Sequence, residues 1–219
     1  MSRAFPELAM HRVYGFCHYT IRVAYDIFFR GEVAGVEHLP ERGGFLLAAN
    51  HASFLDPPLI GCHVARQIAY FARKTLWKAG LASWWLDSVG TIPVDRDGGQ
   101  DVSAIKRVLK ALKQERGLIL FPEGTRTLDG RLQPAKPGVG FIAVKTQVPV
   151  VPVRIFGSFE ACGKGRPVRL GTPVSVVFGK PIPPSVYDDP RAGKERAQRA
   201  SEIIMAEIAK LQRPSPVVI

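Results

Sequence analysis

Cysteine, long apolar runs and acidic side chains are all scarce in this sequence, and each scarcity narrows what the protein can be. The 219 residues include three cysteines, Cys17, Cys62 and Cys162, which lie far apart and form no CxxC pair. An odd, scattered set argues against a disulfide framework and does not suggest a zinc site. A reducing, cytoplasmic setting is the expectation.

Apolar runs are short throughout the chain. A membrane-spanning helix requires roughly 18 uninterrupted apolar residues, and no stretch approaches that length. The N-terminal stretch has an acid at Glu7 and no small-residue cleavage site, so we do not expect a signal peptide. The charged residues that interrupt its apolar positions are Arg12, Arg22, Asp26 and Arg30.

Acidic residues are outnumbered by basic ones, 19 to 30, which gives a net charge of +11. A surplus of this size points to polyanionic partners, namely nucleic acid, an anionic lipid surface or a phosphorylated substrate. The chain has no recognisable nucleic-acid-binding motif, and charge alone does not explain the polar clusters described below. We therefore expect no nucleic-acid partner.

Residues 1–30 form a first segment, which we predict to be an amphipathic helix. On a helix, residues 12, 15, 19, 22, 26 and 30 share one stripe, and apolar side chains such as Phe16 and Ile27 cover most of the rest. Such a helix either caps the core or lies in the lipid interface with arginines at headgroup level, and we favour the second. The protein is thus expected to bind peripherally to the cytoplasmic face of an anionic membrane.

Residues 31–219 alternate short apolar runs with amphipathic segments, which is typical of one α/β domain. The pattern predicts strands at 45–49, 68–72, 91–94, 118–121, 150–155 and 174–178, and helices at about 57–65, 75–88, 101–115, 138–146 and 191–212. The expected fold is a mixed, largely parallel sheet flanked by helices, preceded by the N-terminal amphipathic helix.

The stretch LLAANHASFLDPPLI, residues 46–60, places His51 at the end of a strand and Asp56 five positions later. Five positions along an unbroken helix turn through about 140°, so only a loop can bring the two side chains together. Pro57 favours such a loop and makes Asp56 a natural N-cap of the next helix. The carboxylate can then orient the imidazole and leave Nε2 as a general base. The alternative is a capping aspartate beside a satisfied edge histidine.

Two further polar clusters follow predicted strands. In GLILFPEGTRT, residues 117–127, Gly124 permits a tight turn and Arg126 offers a planar fork suited to phosphate. In GTIPVDRDG, residues 90–98, Arg96 lies just past a strand. Each cluster alone could be a solvated surface turn. Together with His51 they lie beyond the carboxyl ends of three strands, where open α/β sheets bind ligands.

The set NHASFLD, GTIPVDR, FPEGTR and VPVVPVRI, in this order, resembles the motifs of the PlsC-like 1-acyl-sn-glycerol-3-phosphate acyltransferase family, a glycerolipid acyltransferase family, over residues 30–185. The resemblance implies that His51 and Asp56 form a catalytic dyad and that Pro152 shapes the acyl-donor side. It also implies that the phosphorylated acceptor is bound by Arg96, Glu123, Gly124 and Arg126, and we predict that Asn50 and Thr125 contribute to substrate binding.

The implied reaction needs no cofactor and no metal. His51 would take the proton of a lysophospholipid hydroxyl, which then attacks the thioester of acyl-CoA or of an acyl carrier protein. Other acceptors remain open, including other lysolipids, lyso-ornithine lipids and glycolipids, as does hydrolysis by a thioesterase-like enzyme. A covalent route through Ser53 or Cys62 is a weaker alternative, because neither residue lies in a recognised nucleophile context.

Overall fold

The computed structural model describes residues 11–77, 80–94 and 102–214, and its strands form one seven-stranded sheet. The strands are β1 (Arg30–Ala34), β2 (Phe45–Ala49), β3 (Ile68–Arg73), β4 (Thr91–Val94), β5 (Gly117–Leu120), β6 (Val150–Phe156) and β7 (Val174–Phe178). Their order across the sheet is β1-β7-β6-β2-β5-β3-β4. Every neighbouring pair is parallel except β6 and β7, which are antiparallel. This confirms the predicted mixed, largely parallel sheet.

Helices cover both faces of the sheet. They are α1 (Arg12–Phe28), α2 (Asp56–Gly61), α3 (Leu81–Ser88), α4 (Val102–Lys113), α5 (Pro137–Thr146), α6 (Ser158–Cys162), α7 (Pro184–Tyr187) and α8 (Arg196–Lys210). Short 3-10 turns occupy Val36–His38, Lys74–Leu76 and Pro190–Glu195. The helices predicted at 75–88 and 191–212 are therefore shorter than expected, since each is preceded by a 3-10 turn.

Strand β2 lies near the middle of the sheet and is buried along its whole length. Phe45, Leu47 and Ala49 point into the core that α1 and α2 cover, whereas Leu46 and Ala48 point into the core that α4, α5 and α8 cover. A parallel strand covered on both faces is apolar at every position, which is why this one was visible in the sequence. Burial of each leucine contributes roughly 1.5 to 3 kcal/mol, so the end of β2 is a rigid support for Asn50 and His51.

Helix α1 has two different faces. Its inner face is held by Tyr25, whose hydroxyl donates to the carbonyl oxygen of Val174 at 2.6 Å, and by buried Tyr14. Its outer face carries a row of apolar side chains that are exposed to solvent. Tyr19, which the sequence placed on the same stripe as the charged residues of this helix, belongs to that row. We call this row the outer ridge, and it consists of Phe16, Tyr19, Val23 and Ile27. The helix thus caps the core and also presents apolar side chains outward, and its place in a lipid interface stays a prediction. Within the described ranges, no helix is both long and apolar enough to cross a membrane.

Candidate active site

The site forms where two parallel strands end side by side. Ala48 of β2 pairs with Leu120 of β5, so the chain leaves both strands at the same edge of the sheet. There the backbone N–H of His51 donates to Glu123 Oε1 at 3.0 Å, and the N–H of Thr127 donates to the carbonyl oxygen of His51 at 2.9 Å. The two loops that were predicted separately are therefore joined around the backbone of His51.

His51 and Asp56 form a hydrogen-bonded pair. Nδ1 of His51 lies 2.9 Å from Oδ2 of Asp56, and the aspartate side chain is fully buried, 0% exposed, while that of the histidine is 16% exposed. An ionised carboxylate can only accept, so Nδ1 carries the proton and Nε2 has the free lone pair. Because the ring remains partly exposed, Nε2 is the nitrogen that can take a proton from a substrate.

The carboxylate of Asp56 is fixed by the loop before α2. Its Oδ2 also accepts the backbone N–H groups of Ala52 at 2.6 Å and Ser53 at 2.7 Å. The expectation that Asp56 is an N-cap was wrong, since Asp56 is the first residue of α2 and its side chain points backward. A forward cap would have had few donors, because Pro57 and Pro58 have no N–H group.

The imidazole of His51 is also held by an aromatic contact that sequence reasoning missed. It stacks on Phe121 with ring centroids 3.9 Å apart and an interplanar angle of 19°. Phe121 is the residue that follows β5, and its only signal in the sequence was an aromatic residue at the end of an apolar run. The ring orientation is therefore set by one hydrogen bond and one stacked face.

Glu123 lies beneath this arrangement and is only 1% exposed. Oε1 accepts from the backbone of His51, whereas Oε2 is buried and has no hydrogen-bond partner among the described residues. Burial raises the pKa of this carboxyl to about 7, against backbone hydrogen bonds that lower it. These contacts give Glu123 a positioning role toward His51, and its binding of an acceptor stays a prediction.

The remaining predicted binding residues differ in their surroundings. The guanidinium carbon of Arg126 lies 3.3 Å from the ring centroid of Phe54, and its Nη1 is buried without a partner among the described residues. Gly124 has a φ of 67°, which a glycine adopts at little cost, and Thr125 is exposed beside it. Arg96 lies outside the described residues.

Asn50 is used within the fold. Its side-chain amide donates to the carbonyl oxygen of Ile155 at 3.1 Å and accepts the N–H of the same residue at 2.8 Å. This pair of bonds continues the contact between β2 and β6 beyond the strand end, so Asn50 fixes the start of the loop that carries His51 and Asp56. Its role in substrate binding stays a prediction.

Neither candidate for a covalent nucleophile is placed to react. The Ser53 hydroxyl is buried and donates to the carbonyl oxygen of Cys162 at 2.6 Å. The Cys62 thiol is buried as well, and burial raises its pKa to about 12, which keeps it protonated. The geometry therefore gives no support to a covalent route through Ser53 or Cys62.

A large open cavity lies on the β6 side of this site. It has a volume of about 670 Å³ and begins at Asn50 and Ala52, the two neighbours of His51. A smaller cavity of about 220 Å³ lies between α1, α2 and α3 and is lined mainly by apolar residues, among them Ile21, Pro58 and Val89. The site therefore opens toward a cavity of mixed polar and apolar lining, and the apolar cavity reaches Pro57, the residue after Asp56.

The chain that forms this sheet and this histidine–carboxylate pair was compared with known protein families. The profile of the Acyltransferase family matches residues 30–156, which is more than half of the chain. The chain is a member of the acyltransferase family.

Several proteins with a similar sequence have the same name. A human 1-acyl-sn-glycerol-3-phosphate acyltransferase alpha is 32% identical over 199 residues, covering 86% of this chain and 68% of that protein. The 1-acyl-sn-glycerol-3-phosphate acyltransferase of Bacillus subtilis (strain 168) is 27% identical over 201 residues, covering 91% and 97%. A chloroplastic enzyme of the same name from Brassica napus is 32% identical over 158 residues, and the chain spans 46% of its length.

A solved structure shares the fold. The crystal structure of the 1-acyl-sn-glycerophosphate (LPA) acyltransferase PlsC from Thermotoga maritima superposes with a TM-score of 0.68 at 27% identity. The match covers 92% of this chain and 81% of that one. The fold predicted from the sequence is thus the fold of a PlsC acyltransferase.

Proposed function

We propose that this protein transfers a fatty acyl group from a thioester, acyl-CoA or acyl carrier protein, to the hydroxyl of 1-acyl-sn-glycerol-3-phosphate, giving phosphatidic acid. The observation that carries the proposal is the His51–Asp56 pair, fixed at 2.9 Å at the edge of the sheet where ligands bind. The names of the relatives support the choice of acceptor.

The proposed chemistry uses one side chain as a proton carrier. Nε2 of His51 accepts the proton of the acceptor hydroxyl as its oxygen attacks the thioester carbon, and Asp56 stabilises the imidazolium that forms. The tetrahedral intermediate then collapses, the carbon–sulfur bond breaks, and the thiolate takes the proton from His51. The products are an ester and a free thiol, and His51 is returned to its starting state without a covalent enzyme intermediate.

Arg126 is the residue that we assign to the acceptor phosphate, together with Arg96. The guanidinium carbon of Arg126 lies 3.3 Å from the centroid of the Phe54 ring, and its buried Nη1 has no partner among the described residues. A planar guanidinium with a free nitrogen suits bidentate contact with phosphate.

An acyl-transfer assay with a panel of lysolipids, read by mass spectrometry, tests the function. Purified protein given an acyl-CoA should form phosphatidic acid from lysophosphatidic acid faster than it acylates other lysolipids. His51→Ala should form none above the uncatalysed rate. Thiol release that does not depend on any acceptor would instead identify a hydrolase and contradict the proposal.

We further propose that the protein binds peripherally to the cytoplasmic face of an anionic membrane. The outer ridge of α1 supports this, because Phe16 is 70% and Tyr19 is 68% exposed. Helix α3 adds exposed Leu81 and Trp84, and α1 and α3 meet at the small apolar cavity. Insertion of these side chains would combine with the net charge of +11 to give a two-part attachment.

Vesicle co-sedimentation separates the two parts. Binding to anionic vesicles should weaken as salt rises, because the electrostatic part acts within a Debye length. The variant Phe16→Ser/Tyr19→Ser should weaken binding at any salt concentration, whereas Arg191→Gln, at an exposed site outside α1 and α3, should change it little. Full-length protein that stays in the supernatant at low salt would contradict the membrane proposal.

A further inference from the structure

Three arginines from distant parts of the chain meet at the large cavity beside His51. Arg131, Arg154 and Arg213 all line it, and Glu160 is the one carboxylate among those lining residues that the structure describes. Arg154 and Arg213 each have one anchored nitrogen. Nη1 of Arg154 donates to the carbonyl oxygens of Ala209 and Leu211, both at 2.8 Å, and Nη2 of Arg213 donates to that of Pro173 at 3.0 Å. The guanidinium groups of Arg154 and Arg213 are thus held at the cavity by carbonyl oxygens, and Arg131, which is highly exposed, lies 4.0 Å from the Asp129 carboxylate.

A buried hydroxyl belongs to one of the residues that line the same space. Ser158 lines the cavity, is 1% exposed, and its Oγ has no hydrogen-bond partner among the described residues. A buried polar atom without a partner is costly, by roughly 1 to 3 kcal/mol, and calls for a ligand that supplies the missing hydrogen bond. Arginine and serine together are the donors that bind phosphate in proteins.

We propose that this cavity binds the phosphorylated nucleotide end of a coenzyme A donor, so that the acyl donor is acyl-CoA. The inference rests on the proposed acyl transfer, and it goes beyond it by assigning a donor and a donor site. The acceptor phosphate has its own candidate in Arg126, which does not line the cavity. A cavity of about 670 Å³ is in the size range of sites for nucleotide-sized ligands and exceeds what a glycerophosphate group needs. Its inner end at Asn50 and Ala52 would bring the thioester to His51.

Binding of coenzyme A to the full chain, measured by calorimetry, tests the site without turnover. The double variant Arg131→Gln/Arg213→Gln alters two exposed side chains, so it should fold normally. Its dissociation constants for coenzyme A and for adenosine 3′,5′-bisphosphate should rise about tenfold or more, the effect of a lost charge-assisted contact. The KM for acyl-CoA should rise with them. Binding of glycerol 3-phosphate should not change.

The matched control is Arg191→Gln/Arg199→Gln, which removes the same charge from exposed arginines that do not line the cavity. It should change the coenzyme A affinity less than twofold. Ser158→Ala adds a second measurement, with an expected loss of a few fold in coenzyme A affinity. If the cavity variant weakens only glycerol 3-phosphate binding, the cavity belongs to the acceptor, and the inference is overturned.

The remaining outcomes separate this inference from the proposed function. Equal coenzyme A affinity in the cavity variant, the control and the original protein would contradict the donor site while leaving acyl transfer intact. Activity with an acyl carrier protein and no measurable coenzyme A binding would do the same. Conversely, coenzyme A binding that depends on the arginines in a protein without transferase activity would contradict the proposed function alone.

Discussion

Two histidines flank helix α2, and they are held in opposite electrostatic settings. His51 precedes the helix and its Nδ1 faces the Asp56 carboxylate at 2.9 Å. His63 follows the helix and its Nδ1 faces Nη1 of Arg22 at 2.6 Å. The first side chain is partly exposed, whereas the second is buried and its Nε2 has no hydrogen-bond partner among the described residues. Residue type and position near α2 are therefore shared, and the partner differs.

The partner decides what each histidine can do. A carboxylate stabilises an imidazolium, so His51 can accept a proton and hold it during a reaction. A guanidinium repels an imidazolium, and burial together with Arg22 lowers the pKa of His63 to about 4. His63 therefore stays neutral and accepts a hydrogen bond that ties α1 to the end of α2. One histidine is suited to catalysis and the other to holding the N-terminal helix.

The sharpest way to break this comparison is to remove each imidazole in turn. His51→Ala should lower the rate of acyl transfer by about 10⁴-fold or more, because no other base replaces it. His63→Gln, which can still accept from Arg22, should keep the rate within a few fold. Initial rates with lysophosphatidic acid check both variants, and circular dichroism verifies the fold. Near-normal turnover by His51→Ala would refute the mechanism.

The second test removes the carboxylate and keeps its shape. Asp56→Asn should reduce transfer by about 10³-fold, because an amide neither stabilises the imidazolium nor fixes the tautomer with Nδ1–H. The variant should also unfold at a lower temperature, since the buried Oδ2 accepts from Ala52 and Ser53 as well as from His51. A rate loss without any change in KM for either substrate identifies the effect as chemical. A rate within tenfold of the original would show that Asp56 is only structural.

The third test measures how pH changes the free energy of unfolding that His63 contributes. The pKa of His63 is lowered from 6.5 to about 4 in the folded protein. Between pH 6.5 and pH 4, His63 is therefore protonated in the unfolded chain and neutral in the folded one. The stability contributed by neutral His63 is complete above pH 6.5 and is lost as pH falls toward 4, by on the order of 3 kcal/mol. Urea unfolding at pH 7 and pH 4.5 should show a smaller acid loss for His63→Gln than for the original protein. Identical losses would mean that His63 titrates normally.

Features that depend on one short stretch of the chain could be predicted from the sequence. All six predicted strands lie within one residue of the observed ones, because each coincides with a short apolar run, which is continuous where the strand is buried on both faces. Strand β1 was missed, since it is an edge strand with charged Arg30 and Glu32 and no continuous apolar run. The His51–Asp56 pair was predictable because both residues lie in one short loop that Pro57 interrupts.

The contacts that come from distant segments were not predictable. Glu123 and Phe121 reach His51 only because β5 lies beside β2, and no local pattern records which strands are neighbours. The partner of His63 likewise comes from α1, 41 positions earlier in the chain. For the same reason nothing in the sequence associates Arg131, Arg154 and Arg213, which meet only in the folded chain.

The fourth test concerns the acceptor rather than the base. Arg126→Ala should raise the KM for lysophosphatidic acid about 10 to 30-fold while changing the KM for the acyl donor little, because it removes a charge-assisted contact to phosphate. Arg126→Lys should restore only part of the loss, since a point charge cannot make the bidentate contact. Arg96→Ala, at a position outside the described residues, is expected to act in the same direction. An effect confined to the donor KM would reverse the two sides of the site.

The smallest expected effect concerns Glu123, which holds the backbone of His51. The test separates this positioning role from the proton transfer proposed for the His51 side chain. Burial raises the pKa of Glu123 from 4.5 to about 7, so the folded protein holds a proton that the unfolded chain releases, and stability falls as pH rises from 4.5 to 7. Glu123→Gln cannot titrate and still accepts from the N–H of His51. It should therefore be more stable than the original protein at pH 8, and this advantage should shrink or disappear at pH 4.5. The gain should be only about 1 kcal/mol, because the new amide nitrogen is buried and its two N–H donors lack partners there. Thermal unfolding at both pH values measures it, and turnover should fall only a few fold, since the backbone of His51 keeps its acceptor. A loss of stability at pH 8 would show that the Glu123 carboxylate is compensated by a partner and that His51 depends on its charge.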